Sequence, residues 1–84
     1  MPKLEWTEGA LEDLESLDKE VKARVLKKVT WLSEHFDNIV PETLSGTLGG
    51  LYKLRVGDWR VIYGIEADRI AIQAVGHRKE IYGR

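Results

Sequence analysis

The sequence predicts an α+β domain of β-α-α-β-β-β order, with a helical hairpin packed on a small, mainly antiparallel sheet. Three observations predict it. Apolar residues recur at three or four positions from Ala10 to Phe36, the spacing of helices with one buried face. After Gly50 the period drops to two, the spacing of half-buried strands. Two short breaks, Gly57-Asp58 and Ala67-Asp68, divide that second half into hairpin-length segments.

Each element follows in order. Lys3 to Trp6 alternates polar and apolar and reads as a first strand. Thr7 sits where a helix N-cap belongs, with Glu8 in the first turn, where a carboxylate suits the helix dipole. Ala10, Leu11, Leu14 and Leu17 carry the first helix. Asp18 is a second N-cap. Val21, Val25, Val29, Leu32 and Phe36 then mark a longer helix, flanked by Leu26 and Trp31. Asp37 to Gly50 reads as a loop holding Pro41, Gly46, Gly49 and Gly50. No GKS/T signature follows these glycines, so they read as a connection needing positive φ and not as a phosphate cradle. Leu51–Val56, Trp59–Ile65 and Arg69–Val75 form the meander, and His77 to Tyr82 is a short tail.

Size and composition narrow the classes. The 84 residues make one domain, 1–84, which buries only about 60–65% of its unfolded surface. There is no cysteine, which excludes disulfides and thiolate metal sites and suits a reducing cytoplasm. No apolar run approaches the ~18 residues of a membrane span, and Met1-Pro2-Lys3-Leu4 lacks signal-peptide character. No metal ligand set and no cofactor motif stands out: His35 and His77 are far apart, and no carboxylate triad is present. The net charge of -1 hides an asymmetry. Residues 1–50 carry six Lys/Arg against ten Asp/Glu, and residues 51–84 carry seven against four. That imbalance directs attention to a polyanion site in the second half.

Strand alternation assigns the faces. Tyr52, Leu54 and Val56 point one way, Lys53 and Arg55 the other. Trp59, Val61, Tyr63 and Ile65 share the core with the helices, leaving Arg60 and Ile62 outward. In the third strand, Ile70, Ile72 and Ala74 compete with Ala71, Gln73 and Val75 for the core. Lys53, Arg55 and Arg60 then lie on adjacent strands about 5 Å apart, with Arg78 just beyond. Asp58 and Glu66 sit at turns and are poor neutralisers of the centre, so the row invites an anion. The alternative is that each long side chain splays into solvent.

Such a face has the parts for RNA cleavage by 2′-hydroxyl attack. Arginine stabilises phosphorane charge but cannot accept the proton. A lysine among arginines is a candidate for proton transfer, which points to Lys53. His77 is a second candidate, or a capping histidine. Tyr82 can stack on a base or donate its hydroxyl.

The run Leu44 to Tyr63 containing "YKLRVGDWRVIY", with the tail Val75-Gly-His-Arg-Lys-Glu-Ile-Tyr82, resembles the RelE family of toxins from type II toxin–antitoxin systems. The resemblance spans essentially the whole chain. It implies a metal-independent, ribosome-dependent mRNA endonuclease that cuts in the A site, inhibits translation and leaves a 2′,3′-cyclic phosphate. It also implies a cytoplasmic protein, with mRNA, the ribosome and a cognate antitoxin as partners. By position it makes Lys53, Arg60, Arg78 and Tyr82 catalytic, with His77 sharing the proton transfer, and Arg55, Lys53, Arg60 and Lys79 RNA-binding. Arg55 stands where well-known members have a second lysine. Two other readings stay open: a ParE-like inhibitor of DNA gyrase with the same fold, and a non-catalytic antitoxin-binding module.

Overall fold

The computed structural model describes residues 2–44 and 50–82. Its elements form for local reasons. Strand β1 (Lys3–Trp6) leads into α1 (Glu8–Glu15), whose first turn is capped by Thr7: the Ala10 amide donates to Thr7 Oγ1 at 3.1 Å. Helix α2 (Lys19–Glu34) starts the same way, with the Val21 amide donating to Asp18 Oδ1 at 2.9 Å. Each such cap satisfies a backbone donor that the helix itself leaves free. A 3₁₀ turn, Phe36–Asn38, and a two-residue strand β2 (Glu42–Thr43) occupy part of the segment expected to be a plain loop. The glycines Gly46 and Gly49 lie outside the described residues.

The meander is β3 (Leu51–Val56), β4 (Trp59–Glu66) and β5 (Arg69–His77). Val56 faces Trp59 across the first turn, where Gly57 takes φ +61°. Left-handed backbone of this kind matches the twist of a two-residue hairpin and suits glycine. Glu66 faces Arg69 across the second, where Ala67 takes φ +47° without being glycine. The short tail forms a one-turn helix, α3 (Arg78–Ile81).

The sheet order is β1-β5-β4-β3-β2. All pairs are antiparallel except β1 with β5, which run parallel in the register Lys3 to Arg69. The helical hairpin covers one face. Its Ala10, Leu14, Val25, Val29 and Leu32 pack with Leu54, Val56, Val61, Tyr63, Ile70, Ile72 and Val75 of the sheet. Each fully buried Val, Leu or Ile in such a core contributes roughly 1.5–3 kcal/mol.

The competition between the two sides of β5 has a physical resolution. Ile62 pairs with Ala74 and Tyr63 with Ile72, so Gln73 is an extra residue opposite that step. A bulge of this kind switches the side-chain alternation. Ile70 and Ile72 therefore face the helices before it, and Val75 after it. Ile62 points away from the helices as alternation requires, yet it is 6% exposed. Helix α3 packs on β4 and β5 with Ile81 buried, so this second face is partly covered as well.

Candidate functional site

The second face carries the cations. Lys53 is the direct cross-strand partner of Ile62, and Arg55 of Arg60, so all three basic side chains share the side opposite the helices. Two arginines directly opposite repel. The structure turns them apart. Arg55 Nη2 donates to Glu42 Oε2 at 2.9 Å. Arg60 folds back along the β3–β4 turn, its Nη1 donating to the Gly57 and Trp59 carbonyls, each at 2.8 Å.

Tyr82 completes the centre. Arg60 Nε donates to the Tyr82 hydroxyl at 3.2 Å. Lys53 Nζ stands 5.5 Å from the centre of the same ring, within cation–π range. Helix α3 is what brings Tyr82 here. A Cβ on Gly76 would come within 2.9 Å of Ile81 Cδ1, so glycine at that point of β5 lets Ile81, and with it α3, seat closely on the sheet.

The expectation that no acid interleaves the cations is corrected. Glu42 is the cross-strand partner of Lys53, and its Oε2 lies 3.3 Å from Lys53 Nζ as well as against Arg55. The Arg55 guanidinium, more than Lys53, holds the Glu42 carboxyl below the usual carboxylate range, against an opposing effect of desolvation. Lys53 therefore sits beside a carboxylate and not among arginines alone. Asp58, expected to be a poor neutraliser of the centre, pairs instead with the rim: its Oδ1 lies 3.6 Å from Arg78 Nε. The Arg78 amide donates to the Asp58 carbonyl at 2.8 Å, which ties α3 to the β3–β4 turn.

The remaining predicted residues are placed differently. His77 caps α3, its Nδ1 accepting from the Lys79 amide at 3.2 Å. Its ring meets Trp59 edge-on at 5.3 Å, and Trp59 packs on the helix-side core. The structure thus does not bring His77 to Lys53. Lys79 is exposed on α3. Lys53, Arg60 and Tyr82 converge; Arg55 joins them through Glu42, and Arg78 marks the rim. Glu42 is the residue that sequence reasoning missed. Only the β2–β3 register places it there, and nothing local in Pro41-Glu42-Thr43 announces that pairing. Among the described residues, no group of three His, Cys, Asp or Glu is arranged to hold a metal ion.

The comparisons with known proteins agree with this fold. A family model described as the ParE toxin of the type II toxin–antitoxin system parDE matches residues 4–82. Among solved structures, a chain of the RelBE2 toxin–antitoxin complex from Mycobacterium tuberculosis is 28% identical, with a TM-score of 0.79 over 93% of this chain and 100% of that one. The isolated E. coli RelE toxin is 24% identical, with a TM-score of 0.76 over 99% and 93% of the two chains. The RelB–RelE complex from Methanococcus jannaschii matches at 21% identity and a TM-score of 0.73, over 94% and 95%. No curated protein matches the chain in sequence. The chain belongs to the ParE toxin family of type II toxin–antitoxin systems, within the superfamily it shares with the RelE toxins whose fold it adopts.

Proposed function

We propose that this toxin is a ribosome-dependent endoribonuclease that cleaves mRNA in the A site by 2′-hydroxyl attack on the adjacent phosphate. The convergence of Lys53, Arg60 and Tyr82 on one open face carries this reading. Transesterification of RNA needs an acceptor for the 2′-hydroxyl proton, a proton donor for the leaving 5′-oxygen, fixed positive charge at the phosphorane and a way to hold the base. Arg60 supplies the fixed charge. Its guanidinium is anchored by two backbone carbonyls, so little reorganisation accompanies the charge that develops. Tyr82, about half exposed, offers a ring on which a splayed base stacks. In this reading Lys53 takes the 2′-hydroxyl proton, and water on this open face protonates the leaving 5′-oxygen as the P–O5′ bond breaks. Arg78 adds a second cation from the rim, and Lys79 and Arg55 hold flanking phosphates. His77, engaged as a helix cap, serves to position α3 in this reading.

Glu42 occupies an anion position between Lys53 and Arg55. A substrate phosphate entering there displaces it or shares its partners. The expected partner in the resting state is an antitoxin, as in the toxin–antitoxin complexes among the structural neighbours.

A second reading has its own support. The family model that matches is the ParE one, which favours a gyrase inhibitor using the same scaffold. Expression of Arg60→Ala and Arg78→Ala variants, checked for folding, tests the choice. The nuclease reading expects each to relieve growth arrest and to lower cleavage about a hundredfold or more, as for loss of one preorganised charge-stabilising donor. Undiminished toxicity, with gyrase-linked DNA breaks and intact mRNA, reverses it.

A further inference from the structure

The notable feature outside that face lies on the helix side of the β3 edge. Helix α2 and β3 enclose an open cleft of about 500 Å³, lined among others by Arg24, Lys27, Lys28, Trp31, Arg55 and Gly57. Four of those six residues are cations, and none of the described residues lining the cleft is acidic. Arg24 and Lys28 are four apart on the helix and Arg24 and Lys27 three apart, so they are surface neighbours that repel. Among the described residues none of Arg24, Lys27 and Lys28 forms an ion pair. The Arg24 guanidinium lies over the turn, 2.7 Å from where a Gly57 Cβ would stand. An aromatic ring sits within this charge. Lys28 Nζ rests 4.1 Å from the centre of the Trp31 ring, and His35 stacks on the same indole at 4.9 Å and 21°.

The cleft is continuous with the cationic face. A smaller cleft of about 260 Å³ shares Lys28, Trp31 and Arg55 with it and reaches Glu42 and Lys53. Cations therefore follow one path from Arg24, round the β3 edge, to Lys53, broken only by the Glu42 carboxylate between Arg55 and Lys53.

We infer that this cleft binds a single-stranded RNA segment that continues from the strand held at Lys53 and Arg60. The inference rests on the nuclease reading for its choice of RNA. Phosphates lie on Arg24, Lys27 and Lys28. The Lys28 ammonium, on its flexible stem, leaves the indole for a phosphate and exposes that ring face to a base. Cations tracking a backbone beside a stacking ring are what sequence-tolerant single-strand binding requires. An acidic peptide would answer the charge but would leave the ring, and the path to Lys53, without a role.

The test is binding of a 2′-O-methyl RNA oligonucleotide, which cannot be cleaved, measured by fluorescence anisotropy across a salt series. The Lys27→Glu/Lys28→Glu variant is compared with Lys19→Glu/Lys22→Glu, which makes the same change of net charge on α2 outside the cleft. A Lys27→Gln/Lys28→Gln variant guards against misfolding by charge reversal. The cleft variants are expected to lose affinity several-fold more than the control, and the salt slope to fall by about 0.7 for each phosphate no longer neutralised. Equal losses in cleft and control variants overturn the inference, because net charge alone then explains them. Loss of binding to an acidic peptide with RNA binding intact also overturns it and makes the cleft a protein-docking site. Adding Arg60→Ala separates the two claims. Cleft-dependent RNA binding that persists without any cleavage activity in the parent removes the nuclease reading and retains the cleft. Cleavage with cleft-independent binding does the reverse.

Discussion

Glu42 and Lys53 face each other across the β2–β3 pair, with carboxylate and ammonium 3.3 Å apart. The same carboxylate oxygen accepts from Arg55 at 2.9 Å, so one short edge strand sets a single negative charge against two of the three cations of the row. An anion binding there competes with a resident carboxylate. Glu42→Gln removes that competitor. It is expected to tighten binding of an uncleavable RNA several-fold while leaving the melting temperature unchanged, as for other exposed ion pairs. The pH dependence has a definite sign. Because Arg55 holds the Glu42 carboxyl below its ordinary value of 4.5, the ion pairs are intact above that value and are lost as pH falls through the lowered one. The Glu42-dependent difference in RNA affinity should therefore be constant near neutrality and shrink only on acidification below the usual carboxylate range. A difference that vanished between neutrality and mild acidity would show that another group governs it.

Tyr63 is fully buried, and burial pushes its hydroxyl up to about 12 from an ordinary 10. A raised value means that the folded state favours the protonated form. The contribution is present below the unfolded value and is lost as pH rises through the folded one. The protein should lose on the order of 2 kcal/mol between these two values, and Tyr63→Phe should abolish that part of the loss. Chemical denaturation at a series of alkaline pH values, with parent and variant side by side, measures it.

Ile81 is the apolar anchor of α3, which carries Tyr82 to Arg60 and Lys53. Because α3 is a single turn beyond the last strand, truncating its anchor should undock it locally and leave the main core closed. Ile81→Ala is expected to cost RNA cleavage at least tenfold, on the scale of losing a positioned group, with little change in global unfolding. Hydrogen exchange should show faster exchange confined to 77–82.

Ala67 holds a left-handed conformation, φ +47°, at the β4–β5 turn. This costs an L-residue about 1–2 kcal/mol, and glycine escapes it at some entropic cost of its own. Ala67→Gly should therefore stabilise the protein by roughly 0.5–1 kcal/mol without affecting toxicity. Urea unfolding of the two proteins decides this, and a destabilised variant would refute it.

Much of this architecture is legible in the sequence because its causes are local. Thr7 and Asp18 cap helices because hydroxyl and carboxylate reach amides three residues on, and Gly57-Asp58 turns because glycine tolerates positive φ. What stays hidden is non-local. The parallel pairing of β1 with β5 joins residues more than sixty positions apart. The bulge at Gln73 reverses the face of β5 midway, so neither alternating set could win over the whole strand. Glu42 reaches Lys53 only through a two-residue strand too short to show a period. The α2 cations escaped notice because they lie in the acidic half of the chain, where average charge concealed a local cluster. His77 carried two readings because capping and catalysis ask for the same side chain, and only its geometry with Lys79 and Trp59 separates them.

RNA cleavage at the Lys53–Arg60–Tyr82 face is tested most directly by mapping mRNA 5′-ends after expressing the toxin without an antitoxin. Cleavage there predicts new 5′-hydroxyl ends inside codons, present only on translated messages and absent for Arg60→Ala. Growth arrest with unchanged mRNA ends, or cuts that appear equally on untranslated RNA, would contradict it.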